Sequence, residues 1–588
     1  MATVREPVEQ AKQKEVRRGG SKTPGVSEPN GRSGMATLGE LLKQGRHEEL
    51  WQRCCGFIDL SLEDFMKIQK RLLLEQLELV KRCELGRYII SGATLRNVEE
   101  FREQVPLTTY ADYAPYLLKR RMNVLPKKPI LWVQTSGRSG EYPHKWVPIS
   151  NRFWQEAGQN FSAIAIFGAC NKRGEIPFKN GTKLLHAMAQ PPYLTGMIAR
   201  KIEEELDFEF LPSLRESEGM SFEERVEKGF RLALAEGMSG FFGLAGVLVA
   251  IGEKFRQGSG STKFSQLLSQ PKMLFRLTKG LIKSKLARRP MLPKDLWSLK
   301  VIASMGTDSV IYKERIKRLW GRAPLDVYGN SESTVIATQT WDYDGMVFFP
   351  NLNFLEFIPE KEHFKWQLDH SYQPKTVLLD EVKAGENYEL VITNFHGGAM
   401  VRYRIGDMIK ITALRNEKLG IDIPQMAFER RADDLIDLGF MRLTERVIWQ
   451  AIENTKIPYR DWTAHKEVGE TPKLHLYLEL DDNYVTTEKD VATAVYEQIK
   501  KVDDGLYIYK DLASLEKLIE FKPIEVTLLP TGVFANYKNQ RQAEGAELAH
   551  LKPPHINPSD KVLSLLGAKT GAVPKVEVAV EDKVMIGR

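Results

Sequence analysis

The sequence predicts an α/β protein, with a large N-terminal domain of mixed sheets and helices and a smaller mobile α+β C-terminal domain. Two patterns predict it. Through the middle of the chain, short β-rich runs such as Ile130–Gln134 and Lys300–Met305 alternate with helically spaced stretches such as Ser221–Ala235 and Tyr312–Trp320. Strands alternating with helices argue for a largely parallel sheet. Later, Leu474–Glu479, Lys489–Val502 and Ile524–Leu529 read as strand, helix and strand in a unit of their own. A chain of 588 residues, 42% hydrophobic and 27% charged, is long enough for several domains and a ligand-sized cleft.

The elements follow in order. Residues 1–36 hold seven Lys/Arg against four Asp/Glu among many Gly, Pro and Ser, which predicts a disordered basic tail. No apolar core of signal-peptide type is present in it. From Leu38 to about Arg120 apolar residues recur at three- and four-residue steps, as in SLEDFMKIQKRLLLEQLELVKR, predicting helices. The longest uncharged run, Gly237–Gly252, has sixteen residues and is bounded by Glu236 and Glu253. A bilayer crossing needs about 20, so a buried helix is expected and no membrane partner. The main domain is placed at 37–430, the C-terminal domain at 431–566, and a loose tail at 567–588. No internal repeat is visible.

Charge and cysteine content exclude further classes. The balance of 84 basic and 77 acidic residues is too even for a nucleic-acid footprint, which needs clustered Lys and Arg. Cys54, Cys55, Cys83 and Cys170 form no CxxC pair, so ordinary thiols in a reducing cytoplasm are expected. Nothing in the sequence fixes the oligomeric state, and a monomer is compatible with it.

Four segments carry chemistry. The first, Thr135–Lys145 (TSGRSGEYPHK), follows an apolar run. Its glycines and hydroxyls let backbone N–H groups close on an anion, and Lys145 adds a point charge. No GK[ST] closes it as in a Walker A loop. Gly137-Arg138-Ser139-Gly140-Glu141 also lacks the last Gly of a nucleophile elbow, which argues against a serine hydrolase using Ser139. The second, Asp326–Ser333 (DVYGNSES), gathers an aromatic, a Gly turn, hydroxyls and Glu332, an oxygen ligand suited to Mg²⁺. The third, Tyr403–Asp407 (YRIGD), places a carboxylate after a Gly turn at a strand end, suited to ribose hydroxyls. The fourth, Arg430–Gly439 (RRADDLIDLG), sets two Asp after Arg431. Each taken singly reads equally well as a polar turn.

In this order the four segments resemble the adenylate-forming superfamily, and within it the auxin- and jasmonate-conjugating acyl-acid amido synthetases. The glycine-rich loop runs into Lys145-Trp146-Val147-Pro148, and Asp407 sits in Val401-Arg402-Tyr403-Arg404-Ile405-Gly406-Asp407. The similarity spans about residues 90–565. The resemblance implies ATP and Mg²⁺ as cofactors and an acyl-AMP intermediate. Thr135, Ser136, Gly137, Ser139, Gly140 and Lys145 would hold the β- and γ-phosphates. Tyr328 would stack on adenine, Ser331 would contact the α-phosphate, Glu332 would ligate Mg²⁺ and Asp407 would bind ribose. Arg431 would join the ATP-binding set, and Asp433 would mark the hinge on which the C-terminal domain turns.

Two positions depart from the family spelling: Arg138 replaces a hydroxyl residue and Arg430 a Gly. The adenylation lysine of the C-terminal domain is matched by Lys552, which precedes Pro-Pro, in preference to Lys538. The expected reaction is activation of a small carboxylic acid followed by transfer to an amine, commonly an amino acid. The alternatives are a CoA acceptor with the same first half-reaction, or an inert binding protein that keeps the fold. Phe241, Phe242 and Leu244 suggest an apolar acid, though they would serve equally as core.

Overall fold

The computed structural model describes residues 36–93, 95–135, 145–243, 245–256, 271–304, 309–432, 435–438, 441–468, 472–481, 484–502, 523–543 and 553–567. The segment after Leu38 is helical as its spacing predicts, and its longest helix is Leu62–Val80, capped where the Ser61 hydroxyl accepts from the Asp64 amide. Two glutamines on that helix are buried and bind backbone across the chain. Gln69 donates to the carbonyls of Pro350 and Asn353, and Gln76 to that of Gly398. Buried amides need such partners. They seat the helix on the central part of the chain.

A hairpin of β1 (Pro129–Gln134) and β2 (Trp146–Ser150) precedes the main sheet. The sheet's first half is parallel, in the order β4 (Glu209–Leu211), β3 (Lys183–Ala187), β5 (Gly240–Gly243), β6 (Val301–Ser304), β7 (Leu325–Tyr328). On one face, Leu185, Phe241 and Ile302 pack with the helices Phe222–Glu236, Ala245–Arg256 and Ser309–Trp320 around Trp297 and Trp320. On the other, Leu184, Val301 and Ala303 face Ile164 and Ile198 of the helices Asn151–Ala169 and Leu194–Leu206.

At β7 the sheet changes character. The remaining strands are antiparallel, in the order β8 (Ala337–Thr338), β9 (Met346–Phe348), β13 (Gln425–Arg431), β12 (Tyr403–Ala413), β11 (Asn387–Asn394), β10 (Asn353–Pro359). The expected parallel sheet is therefore one half of an eleven-stranded mixed sheet.

Two expectations are corrected. Gly237–Gly252 is not one helix, because Gly240–Gly243 forms β5 before the helix Ala245–Arg256 begins. A Cβ at residue 240 would stand 2.5 Å from Val301 Cγ1 and 2.6 Å from Leu184 Cδ2, so only Gly admits the neighbouring strands there. An apolar run reads alike as buried strand or buried helix. Nor is Tyr403–Asp407 a turn that follows a strand. It opens β12, where Arg404 pairs with Val391 and Met408 with Glu389, leaving residues 405–407 bulged around Gly406 at φ 77°.

The residues beyond Arg431 build a hydrophobic core of their own. The hairpin β14 (Leu435–Asp437) and β15 (Arg442–Thr444) leads to the helix Glu445–Thr455. A sheet of β16 (Tyr459–Glu467), β17 (Lys473–Leu480) and β18 (Ile524–Leu529) packs on that helix and on Glu488–Val502. The strand–helix–strand unit expected from the sequence is present, with β17 and β18 parallel. All four cysteines are free and buried.

Candidate active site

The site lies where the sheet changes from parallel to antiparallel, beyond the C-terminal end of β7. β7 delivers Tyr328, and the chain turns at once through Gly329. A Cβ at 329 would approach the Thr334 carbonyl oxygen to 2.3 Å, so the turn requires Gly. The Asn330 side chain then accepts from the Ser333 amide at 2.9 Å and closes the loop that presents Ser331 and Glu332. From behind, Asn394 of β11 donates to the Glu332 carbonyl oxygen at 3.0 Å and to Asn353 Oδ1 at 2.8 Å. Ser331 is half-buried on the turn.

Asp407 faces this loop because the bulge at Gly406 turns it there, as bulges beside functional sites do. Its Oδ2 accepts from the Tyr328 hydroxyl at 2.8 Å, and its Oδ1 from Arg431 Nη1 at 2.6 Å. Asp407 and Arg431 are directly paired across β12 and β13. The Tyr328 ring stacks on Phe428, centroids 6.3 Å apart. Burial first, and then the Asp407 charge, push the Tyr328 phenol well above its ordinary pKa. It is held as a neutral donor to that carboxylate.

A second cluster adjoins the first. Lys145 opens β2's side of the loop: its amide donates to Thr135 Oγ1 at 3.1 Å, and the Thr135 amide donates to the Lys145 carbonyl at 3.0 Å. Lys145 Nζ reaches the Tyr403 hydroxyl at 3.2 Å and Glu332 Oε1 at 3.5 Å, and the Tyr403 hydroxyl donates to the same oxygen at 3.0 Å. The ammonium also stands over the Tyr110 ring, 5.2 Å from its centroid, a cation–π contact. Burial, then the charge of Glu332, raise the Tyr403 phenol well above its usual pKa. The Glu332 carboxylate is buried, and among the described residues its contacts with Tyr403 and Lys145 are on Oε1. Oε2 offers an oxygen to a hard cation, so the donor chemistry fits Mg²⁺.

The structure thus brings Thr135, Lys145, Tyr328, Ser331, Glu332, Asp407 and Arg431 together. Ser136, Gly137, Ser139, Gly140, Asp433 and Lys552 lie outside the described residues, as does Leu244. Phe241 belongs to the core, and Phe241 and Phe242 border a void of about 40 Å³. That is room for little more than a water, so in this structure both serve packing. Sequence reading missed Tyr110, Tyr403 and Phe428. Tyr403 lay inside a quoted motif, but only folding shows that its hydroxyl meets Glu332, 71 residues away.

Comparison with known proteins points the same way as the four segments. Residues 54–195 match the GH3 family N-terminal domain and residues 346–431 the GH3 family central domain. These matches support the adenylate-forming superfamily, with GH3 amido synthetases among the chain's relatives. It is 23% identical to a jasmonoyl–L-amino acid synthetase of Nicotiana attenuata over 87% of this chain and 94% of that one. An indole-3-acetic acid-amido synthetase of Arabidopsis thaliana is 22% identical over 88% of this chain and 96% of its own length. Among solved structures, a 2-hydroxyisobutyryl-CoA ligase shares the fold with a TM-score of 0.53, at 14% identity, over 81% of this chain and 88% of that one. The two GH3 matches enclose Lys145, Asp407 and Arg431, while Tyr328 and Glu332 fall between them.

Proposed function

We propose that this chain is an ATP-dependent acid–amino acid ligase, which activates a carboxylic acid as its acyl-adenylate and passes the acyl group to an amino acid. The observation that carries the reading is the meeting of Asp407, Tyr328, Glu332 and Lys145 at the sheet's switch point. The relatives named above are conjugating enzymes of this kind.

The roles follow from chemistry. Asp407 has lone pairs remaining beyond those met by Tyr328 and Arg431, and these accept from the ribose diol. Tyr328 and Phe428 supply an aromatic wall for adenine, and Ser331 a hydroxyl for the α-phosphate. Thr135, Ser136, Gly137, Ser139, Gly140 and Lys145 enclose the β- and γ-phosphates. Bound Mg²⁺ neutralises phosphate charge, and Glu332 would hold it, oriented by Tyr403.

In the first half-reaction a carboxylate oxygen attacks the α-phosphorus as the bond to pyrophosphate breaks. In the second, the amine nitrogen attacks the acyl carbon, AMP leaves with the bonding electrons, and the amine gives up a proton. The protein's part is positioning and preorganised charge. His186 on β3, held neutral by burial beside Phe242 and without a hydrogen-bond partner on either ring nitrogen among the described residues, lies at the same end of the parallel strands. It suits the acid's carboxylate.

ATP–pyrophosphate exchange over a panel of carboxylic acids tests the reading. One or more acids should drive exchange, and adding amino acids should then yield an amide and AMP. If no acid drives exchange at saturating Mg²⁺, the chain is not a ligase. Formation of a thioester with CoA, and of no amide with any amino acid, would move the acceptor assignment to CoA.

A further inference from the structure

The helix Pro271–Leu286 carries an apolar face that the proposed reaction does not use. Its inward side is fully committed. Met273 and Leu277 pack in the core with Trp297, and Arg276 donates to the Leu234 carbonyl. At Gly280 a Cβ would stand 2.5 Å from Leu296 Cδ2, so the helix sits tightly on the body. Its outward side is different. Phe275, Ile282 and Leu286 are 72%, 55% and 81% exposed. Their steps of seven and four place them in one row along the helix.

Five of the sixteen large hydrophobic residues exposed among the described residues lie on this one helix, the other two being Leu274 and Leu281. Exposed apolar residues scattered singly need no explanation, but a contiguous stripe marks an interaction surface. The charges beside the stripe identify what it meets. Lys272, Lys279 and Lys283 repeat the steps of seven and four, forming a row alongside the apolar one, and all three are exposed. Across residues 271–289 there are seven Lys/Arg and no Asp/Glu.

We propose that this face docks the protein on an anionic lipid surface, with the helix lying in the plane of the interface. Phe275, Ile282 and Leu286 enter the headgroup–acyl boundary, and the lysines extend to lipid phosphates, their aliphatic stems along the apolar row. A helix of sixteen residues, about 24 Å long, suits lying flat rather than crossing. No helix among the described residues is long and apolar enough to cross a membrane. A neutral membrane would leave the lysine row without its counter-charge.

Vesicle flotation of the full chain tests this. The protein should float with vesicles of phosphatidylcholine and phosphatidylserine and far less with phosphatidylcholine alone, and added salt should weaken the binding. Removing a basic residue near such a surface lowers partitioning roughly five-fold. The variant Lys272→Glu/Lys279→Glu/Lys283→Glu should therefore lose on the order of a hundred-fold or more. Phe275→Ser/Ile282→Ser/Leu286→Ser should also abolish flotation while leaving acid-dependent exchange and the melting temperature unchanged. The proposal fails if the wild type does not float with phosphatidylserine vesicles, or if both variants float as the wild type does. The second result would assign binding to another basic stretch. It also fails if the wild type is a dimer that the serine variant makes monomeric, because a second copy then covers the face.

Discussion

Asp407 accepts from a phenol on one oxygen and from a guanidinium on the other, and each partner comes from a different strand. That arrangement fixes the carboxylate's direction before any nucleotide arrives, which is what a ribose-binding group requires. In the proposed role, replacing it by Ala would remove two charge-assisted bonds to the ribose diol, each contributing about 1.5–3 kcal/mol. Asp407→Ala should therefore raise the KM for ATP by roughly a hundred-fold or more, with the KM for the acid changing little. Initial-rate kinetics with each substrate varied in turn checks this, and an unchanged ATP KM would remove Asp407 from the nucleotide site. Tyr328, Glu332 and Asp407 were legible in the sequence only through the order of the four segments and the family resemblance, since each glycine turn taken singly reads as a polar loop. Tyr403 and Phe428 were not. Each looks like an ordinary strand aromatic until the register of β12 and β13 sets it against Glu332 or Tyr328.

Among the elements, a buried ion pair helps hold the start of β12. Arg402, in the left-handed region at φ 47°, donates from Nη2 to Glu356 Oε1 at 2.8 Å and from Nε to Oε2 at 3.1 Å. Its Nη1 binds the carbonyls of Arg102 and Val105, where the helix Val98–Gln104 ends. Those carbonyls have no partner within the helix and face the negative end of its dipole, so a guanidinium meets them favourably. The pair thus joins that helix, β10 and the strand that carries Tyr403 and Asp407. Breaking a buried pair leaves an uncompensated charge and costs about 3–5 kcal/mol. Arg402→Met alone should destabilise by that amount, and Arg402→Met/Glu356→Met by less, as denaturant titration would measure. A double variant no more stable than the single one would mean that the carbonyl contacts, and not the ion pair, set the cost. Element type was readable wherever spacing was clean, as in Leu62–Val80 and the strand–helix–strand unit near the end. It failed at Gly240–Gly243, where uniform apolarity hides the period, and at Gly406, where the bulge depends on pairing with β11.

On the scale of the whole molecule, the two halves of the proposed reaction make opposite demands on the body beyond Arg431. That body has a core of its own, and in the proposal it turns between adenylation and transfer, bringing one lysine to the α-phosphate in the first step only. Two lysines compete for the role. Lys538, on the helix Val533–Ala543, already stands 3.6 Å from Asp461 Oδ2 within the same body. Lys552 immediately precedes a segment that is held firmly. His555 bonds Glu445 at 2.6 Å and Asp461 at 3.1 Å, and the Ala464 amide donates to the His555 carbonyl at 2.7 Å. In the proposal, the charge of the adenylation lysine counts where negative charge builds on the transferred oxygens. Removing one preorganised donor of that kind costs roughly 10²–10³ in rate. Lys552→Ala should lose that factor in acyl-AMP formation, yet convert chemically supplied acyl-AMP to amide at near the wild-type rate. Lys538→Ala should slow neither step. Single-turnover assays of the two half-reactions separate the cases. The opposite pattern would give the role to Lys538, and normal adenylation by both variants would leave Lys145, already beside Glu332, as the working cation.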